Sequence, residues 1–283
     1  MLSLFFNRLR LPLLLVLTCC ALPVFAESKM APPQVSLSPS GVYLDLDKKS
    51  SGLFHLTNLG DQPKRVRTRA YNFELDDNSQ VKLMPPTPQS LDQWLIVNPR
   101  EFTIPPKSQQ VIRFAVRPPI KPEPGEYRAM LYFEEASSVG DAGKGMIKLG
   151  FQLGAPIYVR IGELTEKASL TQHQVTVTGQ AIELGLTIHN QGDLSVGLNG
   201  QYVLWPDGRY PGRQAEPVDT LAAQEGKSSL VRGNLLGTPI LPGSLRTLIQ
   251  RLPRPSVPGR YLLVLHGTLG TAPLHVELPL NIE

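Results

Sequence analysis

The two halves of this 283-residue chain carry the same landmarks in the same order and at nearly the same spacing. In each half an apolar segment ends at a turn-forming sequence, NLGD from Asn58 in the first half and NQGD from Asn190 in the second. Each half later reaches a Pro-Gly-x-Tyr sequence, which begins at Pro124 and at Pro258. The distance from asparagine to proline is 66 residues in the first half and 68 in the second. This agreement predicts two copies of one architecture.

The composition between these landmarks favours β-strands. The chain has 27 prolines and 24 glycines, which separate short segments rich in Val, Ile, Leu, Tyr and Phe; this arrangement is typical of an all-β sandwich. Asparagine, glycine and aspartate suit tight turns, so NLGD and NQGD are expected to form hairpin turns. Tyr127 and Tyr261 are expected to be structural residues that fix tyrosine corners. The sequence therefore predicts two tandem immunoglobulin-like β-sandwich domains.

Residues 1–26 have the layout of a secretory signal peptide. Basic residues come first, an apolar run extends from Leu11 to Ala21, and a cleavage site ends at Ala26. The apolar run is shorter than the roughly 20 residues that span a bilayer. Cleavage after Ala26 is expected, and a lipid anchor on Cys19 or Cys20 is the alternative. The expected mature chain then has an N-terminal domain at 27–160 and a second domain at 161–283.

The expected mature chain lacks the usual marks of an enzyme. Both cysteines lie within residues 1–26, so thiol catalysis and thiolate metal sites are excluded for the rest of the chain. The five histidines show no metal-ligand spacing, and there is no Gly-x-Ser-x-Gly sequence. The segment 140–145 resembles a phosphate-binding loop only weakly, since Ser138 and Gly145 stand where Gly and Ser or Thr belong. We therefore expect no catalytic residue, no cofactor and no metal.

Charge also limits the choice of partner. Without the two arginines of residues 1–26, the chain has 26 basic and 24 acidic residues, which predicts neither nucleic acid nor an anionic membrane as an obligatory partner. No later run in the sequence is apolar enough to cross a membrane, so stable membrane insertion is not expected. Arg65, Arg67 and Arg69 alternate along one predicted strand. That face is expected to be solvated, with an acidic partner surface as the alternative.

The segment from Ile147 to Leu153 is the most informative for binding. Ile147, Leu149, Phe151 and Leu153 alternate with Lys148, Gly150 and Gln152, and a period of two indicates a strand with one apolar face. The loose sequence ASSVGDAGKG, at 136–145, precedes it. The apolar face either packs in the protein's own core or binds another chain.

Several motifs resemble, in their order, those of the PapD-like periplasmic chaperones that assemble pili and fimbriae. They are Ser-Leu-Ser-Pro-x-x-Val from Ser36, the NLGD turn, Leu-Ile-Val-Asn-Pro from Leu95, Pro-Pro-Lys-Ser-Gln-Gln-Val-Ile-Arg from Pro105, and Ile-Lys-Leu from Ile147. The resemblance covers most of the first domain, from Ala31 to about Arg160. The second domain is similar only in its general immunoglobulin-like pattern.

The resemblance implies a periplasmic protein that binds secreted fibre or pilin subunits without ATP and releases them at an outer-membrane usher. The last strand of the first domain is lent to the subunit by β-strand addition, with Ile147, Leu149, Phe151 and Leu153 as binding residues. Lys148 matches a lysine that anchors the subunit's terminal carboxylate, whereas Gly41 stands where the family has an arginine.

The family has an ion pair between its two domains, and this chain departs from it. Arg128 and Gln152 fall where the family has Glu and Arg, while Arg113 is retained and is expected to be structural. The alternative function is a two-domain extracytoplasmic scaffold, or an accessory surface component, that donates no strand.

Overall fold

The computed structural model describes residues 34–76, 80–136, 150–213 and 230–283. Almost all the regular structure in these ranges is β-strand, and the one helix, α1, has four residues. The first half contains β1 Val35–Ser38, β2 Val42–Asp45, β3 Ser51–Asn58, β4 Lys64–Leu75, β5 Val81–Met84, α1 Leu91–Trp94, β6 Leu95–Asn98, β7 Glu101–Ile104, β8 Gln109–Val116, β9 Gly125–Glu135 and β10 Gln152–Ile161. The second half contains β11 Ala168–Val177, β12 Ala181–Asn190, β13 Leu198–Pro206, β14 Val231–Asn234, β15 Leu245–Pro253, β16 Gly259–Leu269 and β17 Ala272–Ile282.

The strands of the first half form two sheets. One has the order β1-β3-β8-β6, and the other has the order β2-β10-β9-β4-β5, with β7 also paired to β4. Their facing side chains alternate along each strand, as a sandwich requires, and meet in one buried cluster. In it the ring of Phe54 stacks on Phe114 at 5.5 Å between centroids and meets the edge of Phe133 at 5.7 Å.

The strands of the second half also form two sheets, with the orders β11-β12-β15 and β14-β13-β16-β17. Along β12 every second residue is buried, from Ile182 to Asn190, and the apolar ones join a separate buried cluster with Leu263 and Leu265 of β16. The expected all-β fold with two sandwich-like sheet pairs is therefore present in the described residues.

The prediction of hairpin turns after Asn58 and Asn190 is wrong. β3 and β4 lie in different sheets, and so do β12 and β13, so each turn carries the chain from one sheet to the other. The reason is the buried asparagine side chain. Asn58 Nδ2 donates to the carbonyl of Gln62 at 2.8 Å and to that of Ile104 at 3.1 Å, which fastens the turn to the opposite side of the sandwich.

The two Pro-Gly-x-Tyr sequences lead into equivalent strands, β9 and β16. Tyr127 Oη donates to the carbonyl of Glu123 at 2.9 Å, and Tyr261 Oη donates to the carbonyl of Val257 at 2.7 Å. Each hydroxyl thus bonds backbone four residues upstream, which is the contact that a tyrosine corner makes.

The two sheet pairs touch each other within one compact unit, Gln34–Glu283. The carboxylate of Glu126 accepts hydrogen bonds from the backbone N–H of Ser195, at 2.9 Å, and from its hydroxyl. Leu241 packs with Met130 and Tyr158 in a small buried cluster. The division into domains after Arg160 stays a prediction, and the signal peptide lies outside the described residues.

Candidate functional site

Strand β10 pairs with a neighbouring strand along its whole length on one side, but along only about half of its length on the other side. β9 pairs with it from Gln152 to Ile161. On the other side β2 pairs only with Ile157–Arg160, in the parallel sense. Residues 152–156 therefore have a free edge among the described residues. Such an edge is a template for a further strand.

The backbone groups at this free edge follow from the hydrogen-bond alternation of antiparallel strands. The carbonyl of Phe151 accepts from Glu135 N at 3.0 Å, so Phe151 faces β9. Successive residues point their backbone groups to opposite sides, so the N–H and C=O groups of Gln152 and Gly154 point to the free edge. Pro156 adds only a carbonyl there, because proline has no N–H.

The apolar side chains next to this edge are partly buried. Phe151 and Leu153 pack against the core cluster of the first sheet pair, on the same face as the buried Ala155 and Ile157. Neither is fully enclosed. The described half of the predicted binding strand thus rests on the protein's own core and keeps part of its apolar surface exposed. Ile147, Lys148 and Leu149 lie outside the described residues.

The opposite face of β10 is polar at this end. Gln152 Nε2 donates to the carboxylate of Glu134 at 2.8 Å, and Arg69 Nε lies 3.8 Å from the same carboxylate. A Cβ added to Gly154 would lie 2.9 Å from Tyr132 and 3.0 Å from the sulfur of Met130. Glycine is therefore needed where these two side chains lie over the strand.

Gly41 lies directly beside the point where the free edge ends. It precedes β2, which begins to pair with β10 at Ile157. A Cβ at position 41 would be 3.1 Å from the ring of Pro156 and 3.2 Å from its carbonyl oxygen. This crowding gives a steric reason for glycine where the resemblance would place an arginine.

Among the arginines singled out in the sequence, Arg69 approaches the free edge of β10 through Glu134, and the others lie apart from it. Arg67 Nε donates to Glu101 at 2.7 Å, and Arg65 lies 3.5 Å from the same carboxylate, which agrees with a solvated face carrying ion pairs. Arg113 is exposed on β8, in the other sheet, and makes no side-chain hydrogen bond or ion pair with described residues. Arg128 lies 3.6 Å from Glu126, close to the contact between the sheet pairs.

The described residues show no other chemical centre. Within them, no three His, Asp or Glu side chains converge on a possible metal position, and no helix has the length and apolarity to span a bilayer. The segment 140–145 is outside this part of the chain. The sequence did not predict the free backbone edge at Gln152 and Gly154, because the pattern of side chains along a strand does not indicate which other strands pair with it.

Comparison with known proteins finds similar folds but no similar sequence. No family model and no curated protein sequence matches the chain. Among solved structures, the class 5 fimbriae chaperone CfaA is 13% identical, with 87% of this chain and 100% of that chain covered and a TM-score of 0.44. The Salmonella enterica chaperone SafB, solved with the SafA pilin, is 14% identical over 86% and 96% of the two chains, with a TM-score of 0.42. A chain of the Acinetobacter baumannii CsuC–CsuE chaperone–tip subunit complex is 12% identical, with 87% of this chain and 98% of that chain covered and a TM-score of 0.45. Similarity at this level does not by itself assign a function.

Proposed function

We propose that this protein is a non-enzymatic periplasmic chaperone that holds fibre subunits by β-strand addition. The observation that carries the proposal is the free edge of β10 at residues 152–156. A subunit lacking one strand of its own sandwich would accept hydrogen bonds from Gln152 and Gly154 and donate to their carbonyls. The sequence motifs that resemble those of PapD-like chaperones support the same function.

Apolar burial would supply the affinity. Phe151 and Leu153 adjoin the free edge and retain exposed surface. Each apolar side chain that becomes fully buried in a complex contributes at most about 1.5–3 kcal/mol before ordering costs. In the proposal Ile147 and Leu149 continue this row, and Lys148 binds the subunit's terminal carboxylate. In the proposal, release at an outer-membrane usher needs no ATP.

The test removes one hydrogen-bond donor from the free edge. Gln152→Pro deletes an N–H that faces away from β9, so the pairing of β9 with β10 is retained; proline is tolerated on such edges. Gln152→Ala is the matched control, since it removes the side-chain contact with Glu134 but keeps the N–H. Both variants are expressed with a signal peptide, purified from the periplasm, and their bound proteins are identified by mass spectrometry.

We expect wild type and Gln152→Ala to retain an incomplete immunoglobulin-like subunit and Gln152→Pro to retain much less. Hydrogen exchange should slow at the Gln152 and Gly154 amides when the subunit is bound. Equal capture by the proline variant, or no added protection at these amides, would reject strand addition and leave the two-domain scaffold as the function.

A further inference from the structure

A second free edge lies in the second half of the chain, on β15. This strand lies at one edge of the sheet β11-β12-β15 and pairs on one side only, with β12 from Ala181 to His189. Among the described residues, no strand and no backbone hydrogen bond covers its other side. An edge of this kind is a template for a further strand.

The backbone groups that face this edge follow from the pairing with β12. Asn190 N donates to the carbonyl of Ser244 at 2.9 Å, so Ser244 faces β12. In an antiparallel pair, successive residues point their backbone groups to opposite sides. Leu245, Thr247 and Ile249 therefore point their N–H and C=O groups away from β12, towards the free edge.

The same three residues form an uncharged, exposed row on the outer face of the sheet. Leu245 and Ile249 are 62% and 66% exposed, and Thr247 between them is exposed as well. Ile249 lies opposite Gly185 of β12, which has no side chain to cover it. Proteins usually protect such edges with charged side chains, prolines or bulges, and none of these lies within residues 245–249.

The other two long edge strands of the second half carry such protection. The register of β11 on β12 is irregular between Leu170 and Gln172, and β17 contains Pro273 and Pro279. β15 pairs with β12 without irregularity, and its one proline, Pro253, stands at its last position. A partner strand at residues 245–249 would explain why this edge alone has no protection among the three.

We propose that β15 pairs antiparallel with β15 of a second copy of this chain, about a two-fold axis at Thr247. In that register Leu245 of each copy lies opposite Ile249 of the other copy, and the two Thr247 residues lie opposite each other. Because all these residues face the free edge, each opposing pair exchanges two backbone hydrogen bonds. The two three-stranded sheets then form one continuous sheet.

The partner is a second copy because the exposed row is complementary to itself in this register. Apolar side chains meet apolar side chains at both ends of the row, and such cross-strand pairs stabilise a sheet. Arg251, the next residue on this face, would lie opposite Gly243, which is uncharged and belongs to the turn before β15. No like charges are opposed, and two-fold pairing of identical surfaces is the commonest symmetry of homo-oligomers.

The size of the contact sets its strength. Pairing through one strand is smaller than the roughly 1,200–2,000 Å² of a stable interface, so the association should be weak and should depend on protein concentration. The contact uses β15 and leaves the free edge of β10 accessible. It therefore does not depend on the proposed chaperone function.

Sedimentation equilibrium of the purified protein, from micromolar to millimolar concentration, measures the association. Thr247→Pro removes the N–H at the two-fold axis and retains the pairing with β12, whereas Thr247→Ala, the matched control, keeps that N–H and loses only the hydroxyl contact with Thr187 at 2.9 Å. Ile249→Lys is a second disrupting variant, which leaves the backbone donors in place. Its control is Val257→Lys, because Val257 is 68% exposed and lies outside the strands.

We expect Thr247→Pro and Ile249→Lys to weaken the association about tenfold or more, because each change occurs twice in a symmetric dimer. Thr247→Ala, Val257→Lys and Gln152→Pro should associate like wild type. Hydrogen exchange at the Leu245, Thr247 and Ile249 amides should slow as the protein concentration rises.

Three results would overturn the proposal. The first is a protein that stays monomeric up to millimolar concentration. The second is wild-type association of both Thr247→Pro and Ile249→Lys. The third is a dimer that Gln152→Pro abolishes, since the contact would then lie at the free edge of β10.

Discussion

Asn58 and Asn190 make three matching side-chain hydrogen bonds in the two halves of the chain, and Asn58 donates in addition to the carbonyl of Pro105 at 3.1 Å. Each side chain has no exposed surface. Each amide nitrogen donates to the carbonyl four residues later, at 2.8 Å to Gln62 and 2.7 Å to Leu194. Each also donates across the sandwich, at 3.1 Å to Ile104 and 2.9 Å to Ile240. Each Oδ1 accepts from the backbone N–H two residues later at 3.0 Å.

The first prediction concerns these asparagines. Asn58→Ala and Asn190→Ala should each lower the free energy of unfolding by about 3 kcal/mol, because each leaves buried carbonyls without donors. Urea unfolding followed by circular dichroism measures the change. Asn58→Asp keeps the acceptor for Gly60 and loses both N–H donors, so it should destabilise at least as much as alanine. A loss below about 1 kcal/mol in all three variants would show that water replaces the amide.

The same pair shows how far the sequence predicts the fold. Local patterns predicted the strands that end at Asn58 and Asn190 and the strands that follow Pro124 and Pro258, because period-two alternation and turn residues are local properties. They did not predict that the asparagine turns join two sheets. A hairpin and an inter-sheet turn use the same residues, and the difference lies in contacts with carbonyls 46 and 50 residues away.

The candidate site was predicted only in part, again because local patterns do not indicate which distant segments pair. The alternation around Phe151 and Leu153 correctly indicated an apolar strand face, and the choice between own core and partner was left open. That β2 stops covering β10 at Ile157 depends on the pairing of segments 115 residues apart, such as Val42 with Ile157. The sequence of residues 147–161 alone therefore does not predict where the pairing of β2 with β10 begins.

The second prediction tests the apolar face of the site. Phe151→Glu should lower subunit capture about tenfold or more, because a charge replaces an apolar side chain that the complex would bury. Ile96→Glu is the control: Ile96 is a 50% exposed side chain on β6, in the other sheet, and its variant should capture normally. Capture is quantified per folded chain, with thermal unfolding of the free protein measured in parallel. Capture by Phe151→Glu at the wild-type level would show that this side chain serves only the protein's own core.

The third prediction concerns how the stability contributed by the ion pair of Glu101 with Arg67 depends on pH. A hydrogen bond from Arg67 at 2.7 Å lowers the pKa of Glu101 below its usual range, and Arg65 adds to the effect. Since the folded-state pKa is depressed, the stabilisation is present above the unfolded-state pKa of about 4.3 and is lost as the pH falls through the lower folded-state pKa. Glu101→Gln should therefore be less stable than wild type at neutral pH, and the difference should vanish in strong acid.

Urea midpoints of both proteins across the acid range measure this convergence. Glu74→Gln is the matched control, since Glu74 is exposed on β4, the strand that carries Arg65 and Arg67, and makes no ion pair with described residues. Its midpoint should follow wild type at every pH. A constant gap between Glu101→Gln and wild type across the acid range would contradict the ion-pair origin of the difference.

The last prediction concerns the contact between the two sheet pairs. The Glu126 side chain is 3% exposed; it accepts from the N–H and hydroxyl of Ser195 and lies 3.6 Å from Arg128. Glu126→Ala leaves these groups without an acceptor, so we expect a loss of about 3 kcal/mol and thermal unfolding in more than one step. Ser195→Ala keeps the backbone N–H bond and should lose about 1 kcal/mol.

Scanning calorimetry distinguishes loss of coupling between the sheet pairs from a general loss of stability. Asp207→Ala is the control, because Asp207 forms an exposed ion pair with Arg260 within the second half; it should change stability by less than about 1 kcal/mol. If Glu126→Ala shifts one cooperative transition without splitting it, the two sheet pairs are held together by their other contacts, which are the apolar contact of Leu241 with Met130 and Tyr158 and the hydrogen bond from Arg246 to the carbonyl of Asp76 at 3.1 Å. Leu241→Ala and Arg246→Ala, made one at a time, should then show which of these two contacts couples the unfolding of the sheet pairs.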